Sequence, residues 1–248
     1  MICFRNRRTL GRVLLSIFLL GYVFAADNGV SDDLGFRDDF NIASSNWVDD
    51  GSGRWSVTGG AYVMTGVRNQ TWAVSLYDTA IYSDFTYASR MRRISGEGYS
   101  LGGLALRANS QNEGYRFVIA LPDFYSLWEG ELTGGSEVRI IGWTRSAAIN
   151  GQLGAWNTLK VEVSGEIIKL YMNGVLLNTV TDSSYSSGKV GLVAYDYSNM
   201  TPPVVEYDFA EVIPIGGTAI PEPTTMLFLG SGLIGLAGYG RRKFRGKR

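Results

Sequence analysis

Trp156-Asn157-Thr158-Leu159-Lys160-Val161-Glu162-Val163, then Ser164-Gly165-Glu166, then Ile167-Ile168-Lys169-Leu170-Tyr171-Met172, then Asn173-Gly174 and Val175-Leu176-Leu177, is the stretch that decides the fold. Apolar and polar residues alternate along it, so Leu159, Val161 and Val163 share one face of an extended strand and Lys160 and Glu162 the other. Asn173-Gly174 between two such runs is the strongest short hairpin signal, because both central residues of a tight hairpin turn need positive φ. Ser164-Gly165 joins the two strands before it, so three consecutive strands form a meander.

The same alternation extends in both directions. Trp55-Ser56-Val57, Tyr62-Val63-Met64, Trp72-Ala73-Val74-Ser75-Leu76 and Phe85-Thr86-Tyr87-Ala88 read as strands, as do Leu104-Ala105-Leu106-Arg107, Tyr115-Arg116-Phe117-Val118-Ile119 and Tyr125-Ser126-Leu127-Trp128. Val138-Arg139-Ile140-Ile141, Val190-Gly191-Leu192-Val193-Ala194 and Val204-Val205-Glu206-Tyr207-Asp208-Phe209 complete the set. Gly, Asn, Asp and Ser separate these β-branched and aromatic runs, and helical periodicity is nearly absent. The expectation is one all-β, antiparallel sandwich over residues 26–220, with no internal repeat or low-complexity linker.

The two ends have different chemistry. Residues 1–25 carry Arg5, Arg7, Arg8 and Arg12, an apolar run over residues 13–24, and Val23-Phe24-Ala25 as a small-x-small cleavage site, the order of a signal peptide cut by signal peptidase. After Pro221-Glu222-Pro223, residues 224–240 hold no charge, and six of the last eight residues are Lys or Arg, beginning with Arg241, Arg242 and Lys243. As a helix the uncharged part spans about 26 Å, slightly under a hydrocarbon core of about 30 Å. The basic block would stop in the cytoplasm and leave the preceding domain outside, with the apolar span holding the chain in the membrane.

Composition narrows the chemistry. The chain is formally neutral, but between the two end pieces thirteen Lys and Arg stand against twenty-two Asp and Glu, a charge of −9. An acidic domain is a poor partner for nucleic acid or anionic lipid. Cys3, the only cysteine, leaves with the signal peptide, so the mature domain has no disulfide, thiolate metal site or Cys nucleophile. There is no histidine, which removes the Ser-His-Asp triad and His-ligated zinc, so acid–base chemistry would fall to carboxylates.

Two resemblances follow from these motifs. Pro221-Glu222-Pro223, the glycine-rich uncharged span and the Arg-rich end resemble the PEP-CTERM sorting signal of bacteria that make extracellular polysaccharide. That likeness implies recognition and cleavage near Pro221 by an exosortase, and delivery to the cell surface or extracellular matrix. Trp156 to Val163, Gly165, Ile168 to Gly174, Ser187-Gly188-Lys189-Val190-Gly191-Leu192 and Tyr207-Asp208-Phe209 resemble the closing half of LamG-like and concanavalin A-like jelly-roll domains, among them the 3-keto-disaccharide hydrolase family. Asp38-Asp39-Phe40, Trp47, Trp55-Ser56-Val57 and Gly60-Ala61-Tyr62 resemble their opening. The likeness covers residues 36–212 and implies a concanavalin A-like jelly roll; the uncharged tail beyond it reads as a C-terminal transmembrane helix. That fold hosts lectins, glycosidases and adhesion modules alike.

Three constellations could carry function. Glu206, Asp208 and Glu211 have the Glu-x-Asp-x-x-Glu spacing that resembles the catalytic strand of laminarinase-like glycoside hydrolases, and a bulge at Phe209-Ala210 would bring all three to one face. In the opposite phase Val205, Tyr207 and Phe209 fill the core and the carboxylates form a solvated face. Tyr99, Arg107, Tyr115, Arg116, Tyr125, Trp128 and Glu129 lie on three successive strands that would form one concave sheet, rings for stacking a sugar beside polar groups for its hydroxyls. Asp38 and Asp39, with Asp32-Asp33 and Asp49-Asp50, supply oxygen ligands for a rim calcium ion such as LamG-like domains often bind, although no spacing matches a defined calcium loop. The reading favoured is a non-catalytic, polysaccharide-binding or interaction domain that needs no cofactor. The alternatives are a carboxylate-dependent glycoside hydrolase and a purely structural matrix component.

Overall fold

A computed structural model of the chain describes residues 35–66, 71–96, 101–110, 112–120, 122–196 and 201–216. The signal-peptide and sorting-tail readings, together with Tyr99, Asp32 and Asp33, lie outside the described residues. In chain order the strands are β1 (Phe36–Asp38), β2 (Trp47–Asp49), β3 (Trp55–Thr58), β4 (Ala61–Thr65), β5 (Trp72–Tyr77), β6 (Phe85–Ser95), β7 (Leu101–Ala108) and β8 (Glu113–Ala120). They continue as β9 (Phe124–Glu131), β10 (Glu137–Arg145), β11 (Asn157–Ser164), β12 (Ile167–Met172), β13 (Val175–Thr181), β14 (Lys189–Tyr195) and β15 (Val204–Pro214).

Two sheets form. The first runs β13-β12-β11-β6-β15-β4-β3, with β1 paired to β15, and the second runs β10-β9-β8-β7-β14-β5-β2. All the pairings are antiparallel. The expected meander is β11-β12-β13. Asn173 (φ 50) and Gly174 (φ 82) both take the left-handed conformation of a type I′ turn, while Gly165 (φ 56) starts the β11–β12 turn.

The interior follows the alternation read from the sequence. Leu159, Val161 and Val163 from β11, Ile168 and Leu170 from β12, and Val205 and Tyr207 from β15 meet Leu104, Phe117, Leu127 and Leu192 of the second sheet in one core. Tyrosine hydroxyls tie the layers across that core. Tyr87 donates to the Gly191 carbonyl at 3.0 Å, Tyr207 donates to the Val193 carbonyl at 2.7 Å and accepts the Gly103 N–H at 2.9 Å, and Tyr62 bonds Ser75 at 2.8 Å. Burial drives the Tyr207 and Tyr87 phenols far above their ordinary range, so both remain neutral donors.

The same function explains a correction. Tyr115 and Tyr125, expected on a binding surface, are buried ties between the sheets: Tyr115 donates to Asp182 at 2.6 Å and Tyr125 reaches the Leu177 carbonyl at 3.5 Å. Arg107 is also buried. It has positive φ at a register break between β7 and β14, and its guanidinium bonds the Ser83 and Tyr185 carbonyls. None of these three can meet a ligand from outside.

A second apolar layer was not anticipated. Antiparallel sandwiches usually present a polar outer face, yet every residue of β7 is buried, and the outward side chains of the second sheet form their own cluster. Val74, Leu101, Ala105, Val118, Ala120 and Val193 belong to it, capped by Leu132 from the β9–β10 turn.

Candidate functional site

That outward apolar face carries a groove of about 490 Å³. Register explains its lining: Trp72 on β5 pairs with Tyr195 on β14, Tyr195 with Leu101 on β7, Leu101 with Ala120 on β8, and Ala120 with Phe124 on β9, so one cross-strand row forms a wall. Trp128, Trp143 and Glu137 from β9 and β10 complete it. Trp72 and Tyr195 meet at 4.9 Å between ring centres, and Trp128 and Trp143 lie edge to face at 6.1 Å.

The rings are held from behind. Arg54, buried in the turn after β2, donates to the Trp72 carbonyl and to the Thr71 hydroxyl (3.1 Å) and pairs with Asp50 at 3.2 Å; Asp50 in turn accepts the Val74 N–H at 3.1 Å. The backbone that presents Trp72 is thus fixed by an ion pair whose arginine is buried. Two register breaks in β10, one between Arg139 and Ile141 and the other between Ile141 and Thr144, re-aim its side chains along the groove.

Arginines run through this face. Arg116 is buried, its guanidinium 4.2 Å from the Trp72 ring and 5.9 Å from Trp128, bonded to Glu137 and to the Leu132 carbonyl at 3.0 Å. Burial lowers its pKa, while the hydrogen bond it donates to Glu137 works the other way. Arg139 lies over Trp128 at 4.3 Å and Arg145 over Phe124 at 5.0 Å.

Of the residues singled out in the sequence, Trp128 therefore lines the groove, and Arg116 packs against its Trp72 ring. Glu129 points to the opposite side of β9, accepting the Ser184 hydroxyl at 2.5 Å. The set had mixed neighbours such as Tyr115 with Arg116, which a strand sends to opposite faces. Trp72, Phe124, Glu137, Arg139, Trp143 and Tyr195 went unrecognised as a group. The available signal was the phase of Phe124-Ser126-Trp128 together with apolar residues in both phases of β7.

Glu206, Asp208 and Glu211 do share a face, but on the first sheet and away from the groove. Tyr207, Ala210 and Val212 between them fill the core. The bulge falls between Tyr207 and Phe209, one residue earlier than expected, which turns Phe209 outward and Ala210 inward. Arg92 holds Glu206 at 2.6 Å, Arg90 holds Asp208 at 2.7 Å, and Arg37 stands 3.6 Å from Glu211. The Trp156 ring packs under Arg90 and Arg92. Carboxylates neutralised in this way form a surface charge ladder.

Asp38 accepts the Phe40 N–H at 2.8 Å and the Trp47 indole N–H at 2.9 Å, clamping the opening of the chain, and Asp39 pairs with Arg37 at 2.7 Å. Among the described residues no group of three or more His, Cys, Asp or Glu side chains gathers where it could hold a metal ion.

Two antiparallel sheets in this order, with an aromatic groove on the outer face of one, place the chain among the jelly-roll sandwiches. It belongs to the family of the 3-keto-alpha-glucoside-1,2-lyase-like domain, whose model matches residues 35–207, and residues 219–243 match the PEP-CTERM protein-sorting motif. The fold is similar to carbohydrate-binding module CBM66 from Bacillus subtilis, with a TM-score of 0.55 and 24% identity over 67% of this chain and 95% of that one. It is also similar to the catalytic domain of an endo-1,3-beta-glucanase (laminarinase) from Thermotoga petrophila, with a TM-score of 0.54 and 10% identity over 71% of this chain and 95% of that one. A third similar structure is a Bacillus licheniformis beta-glucanase, with a TM-score of 0.51 and 15% identity over 72% of this chain and 97% of that one. No curated protein matches the chain. The sorting motif indicates an exported protein.

Proposed function

We propose that the chain is an exported protein whose sandwich binds carbohydrate without cleaving it, in the groove of the second sheet. The observation that carries this reading is the groove itself: five aromatic rings on a sheet face that is elsewhere apolar and buried, with arginines and one carboxylate among them. Sugar faces stack on such rings while charged groups bond the hydroxyls. Among the described residues lining the groove only Glu137 is a carboxylate, and it is engaged by Arg116. Hydrolysis by the usual glycosidase route calls for two carboxylates flanking the scissile bond.

The sorting motif supports transit through the inner membrane after signal peptidase cleavage, with the basic tail cytoplasmic. Exosortase then acts near Pro221-Glu222-Pro223, and the sandwich ends at the cell surface or in the polysaccharide matrix.

A panel of neutral oligosaccharides tests the reading. Binding without release of reducing ends, weakened at least about tenfold by Trp143→Ala, is the expected result. Reducing-sugar release abolished by Glu137→Gln would instead favour a sugar-cleaving enzyme, the reading that the family match keeps open. An absence of both binding and turnover would leave a structural matrix component.

A further inference from the structure

We infer that the groove prefers acidic saccharides, with the carboxylate of a uronic acid bound by Arg139 beside Trp128. The inference rests on the carbohydrate reading of the groove and names the class of sugar.

Three arginines stack on its rings. Arg116 is already paired with Glu137, and Arg145 stands 3.7 Å from Asp123. Arg139, directly opposite Trp128 across β9 and β10, makes no ion pair among the described residues, and its exposed guanidinium rests 4.3 Å from the Trp128 ring. An unpaired, exposed guanidinium held against an aromatic face fits a ligand group that carries negative charge and two oxygens, because it binds a carboxylate through a two-pronged fork. Trp143, 37% exposed and edge to face with Trp128, offers the adjoining ring on which the same sugar would stack. The surroundings sharpen the point. A domain of charge −9 repels a polyanion in general, so any preference for one must come from a local contact, and Arg139 is the cation placed to make it.

The test compares neutral oligosaccharides with their uronate counterparts, cellohexaose with oligoglucuronate and mannohexaose with oligomannuronate, by calorimetry on the full-length chain in mild detergent. At least one uronate should bind more tightly than its neutral partner. Arg139→Gln should lower the uronate-to-neutral affinity ratio by about tenfold or more. Arg139→Lys should restore only part of it, because an ammonium lacks the fork. Neutral oligomers that bind as well as uronates, or a ratio untouched by Arg139→Gln, would overturn the inference and leave the groove reading standing. If no oligosaccharide of either kind binds, the groove reading falls and this inference with it.

Discussion

Tyrosine is the residue on which the sandwich turns. Each of Tyr62, Tyr87, Tyr115, Tyr125 and Tyr207 buries its ring between the layers and spends its hydroxyl on the opposite sheet or on the loop beside it. Tyr207→Phe keeps the ring and strands the Gly103 N–H and Val193 carbonyl; a loss of about 1–3 kcal/mol by urea denaturation is expected. Alkali should act through the same groups. Burial raises the phenol pKa of Tyr87, Tyr115 and Tyr207 above the unfolded value near 10, so the unfolded chain releases protons that the folded chain retains. Their contribution is complete below about pH 10 and is lost as the pH rises towards the folded values, at roughly 1.4 kcal/mol per pH unit for each tyrosine. Stability that stays flat from about pH 9 to about pH 11 would contradict this, because the unfolded phenols titrate in that window.

At the scale of the element, β7 distinguishes this sandwich from a one-sided one. Gly103 sits where the second sheet is tightest: a Cβ there would come 2.1 Å from the Phe117 carbonyl oxygen and 2.8 Å from the Val118 Cα, both backbone atoms of β8. Gly103→Ala should therefore cost about 1–3 kcal/mol and narrow or close the groove above it, read as a lower denaturation midpoint together with weaker oligosaccharide binding. What the sequence made legible divides along this same line. Alternation in β11 and β12 gave the correct phase, since one face of each meets the core and the other meets water, whereas in β15 the bulge at Asp208 shifts the phase partway along, with Tyr207 inward and Phe209 outward. In β7, β8 and β9 both phases are apolar or aromatic, so alternation could not say which rings face the partner sheet and which the groove. Tyr115 and Arg116 were both legible as site candidates, and only the sandwich sends one inward and the other outward. Likewise the Glu206-Asp208-Glu211 spacing was readable, but its sheet and its arginine partners depend on β6 and β1, which are distant in sequence.

For the whole molecule, two layers of apolar packing do different work. The inner one, between the sheets, holds the fold, while the outer one, roofed by Leu132 and walled by Trp72, Phe124, Trp128, Trp143 and Tyr195, leaves a groove open to a ligand. The charged ladder of Arg37, Arg90 and Arg92 with Glu206, Asp208 and Glu211 covers the far side of the sandwich, where the Trp156 and Phe209 rings lie under arginines. The account therefore predicts one face of use and one that is inert. Backbone amide shifts recorded by NMR during titration with an oligosaccharide separate the two. Perturbations confined to β8, β9, β10, the starts of β5 and β7 and the end of β14 are the predicted result. Shifts centred on β15 and β6 around Glu206 and Asp208, with the groove unmoved, would contradict it.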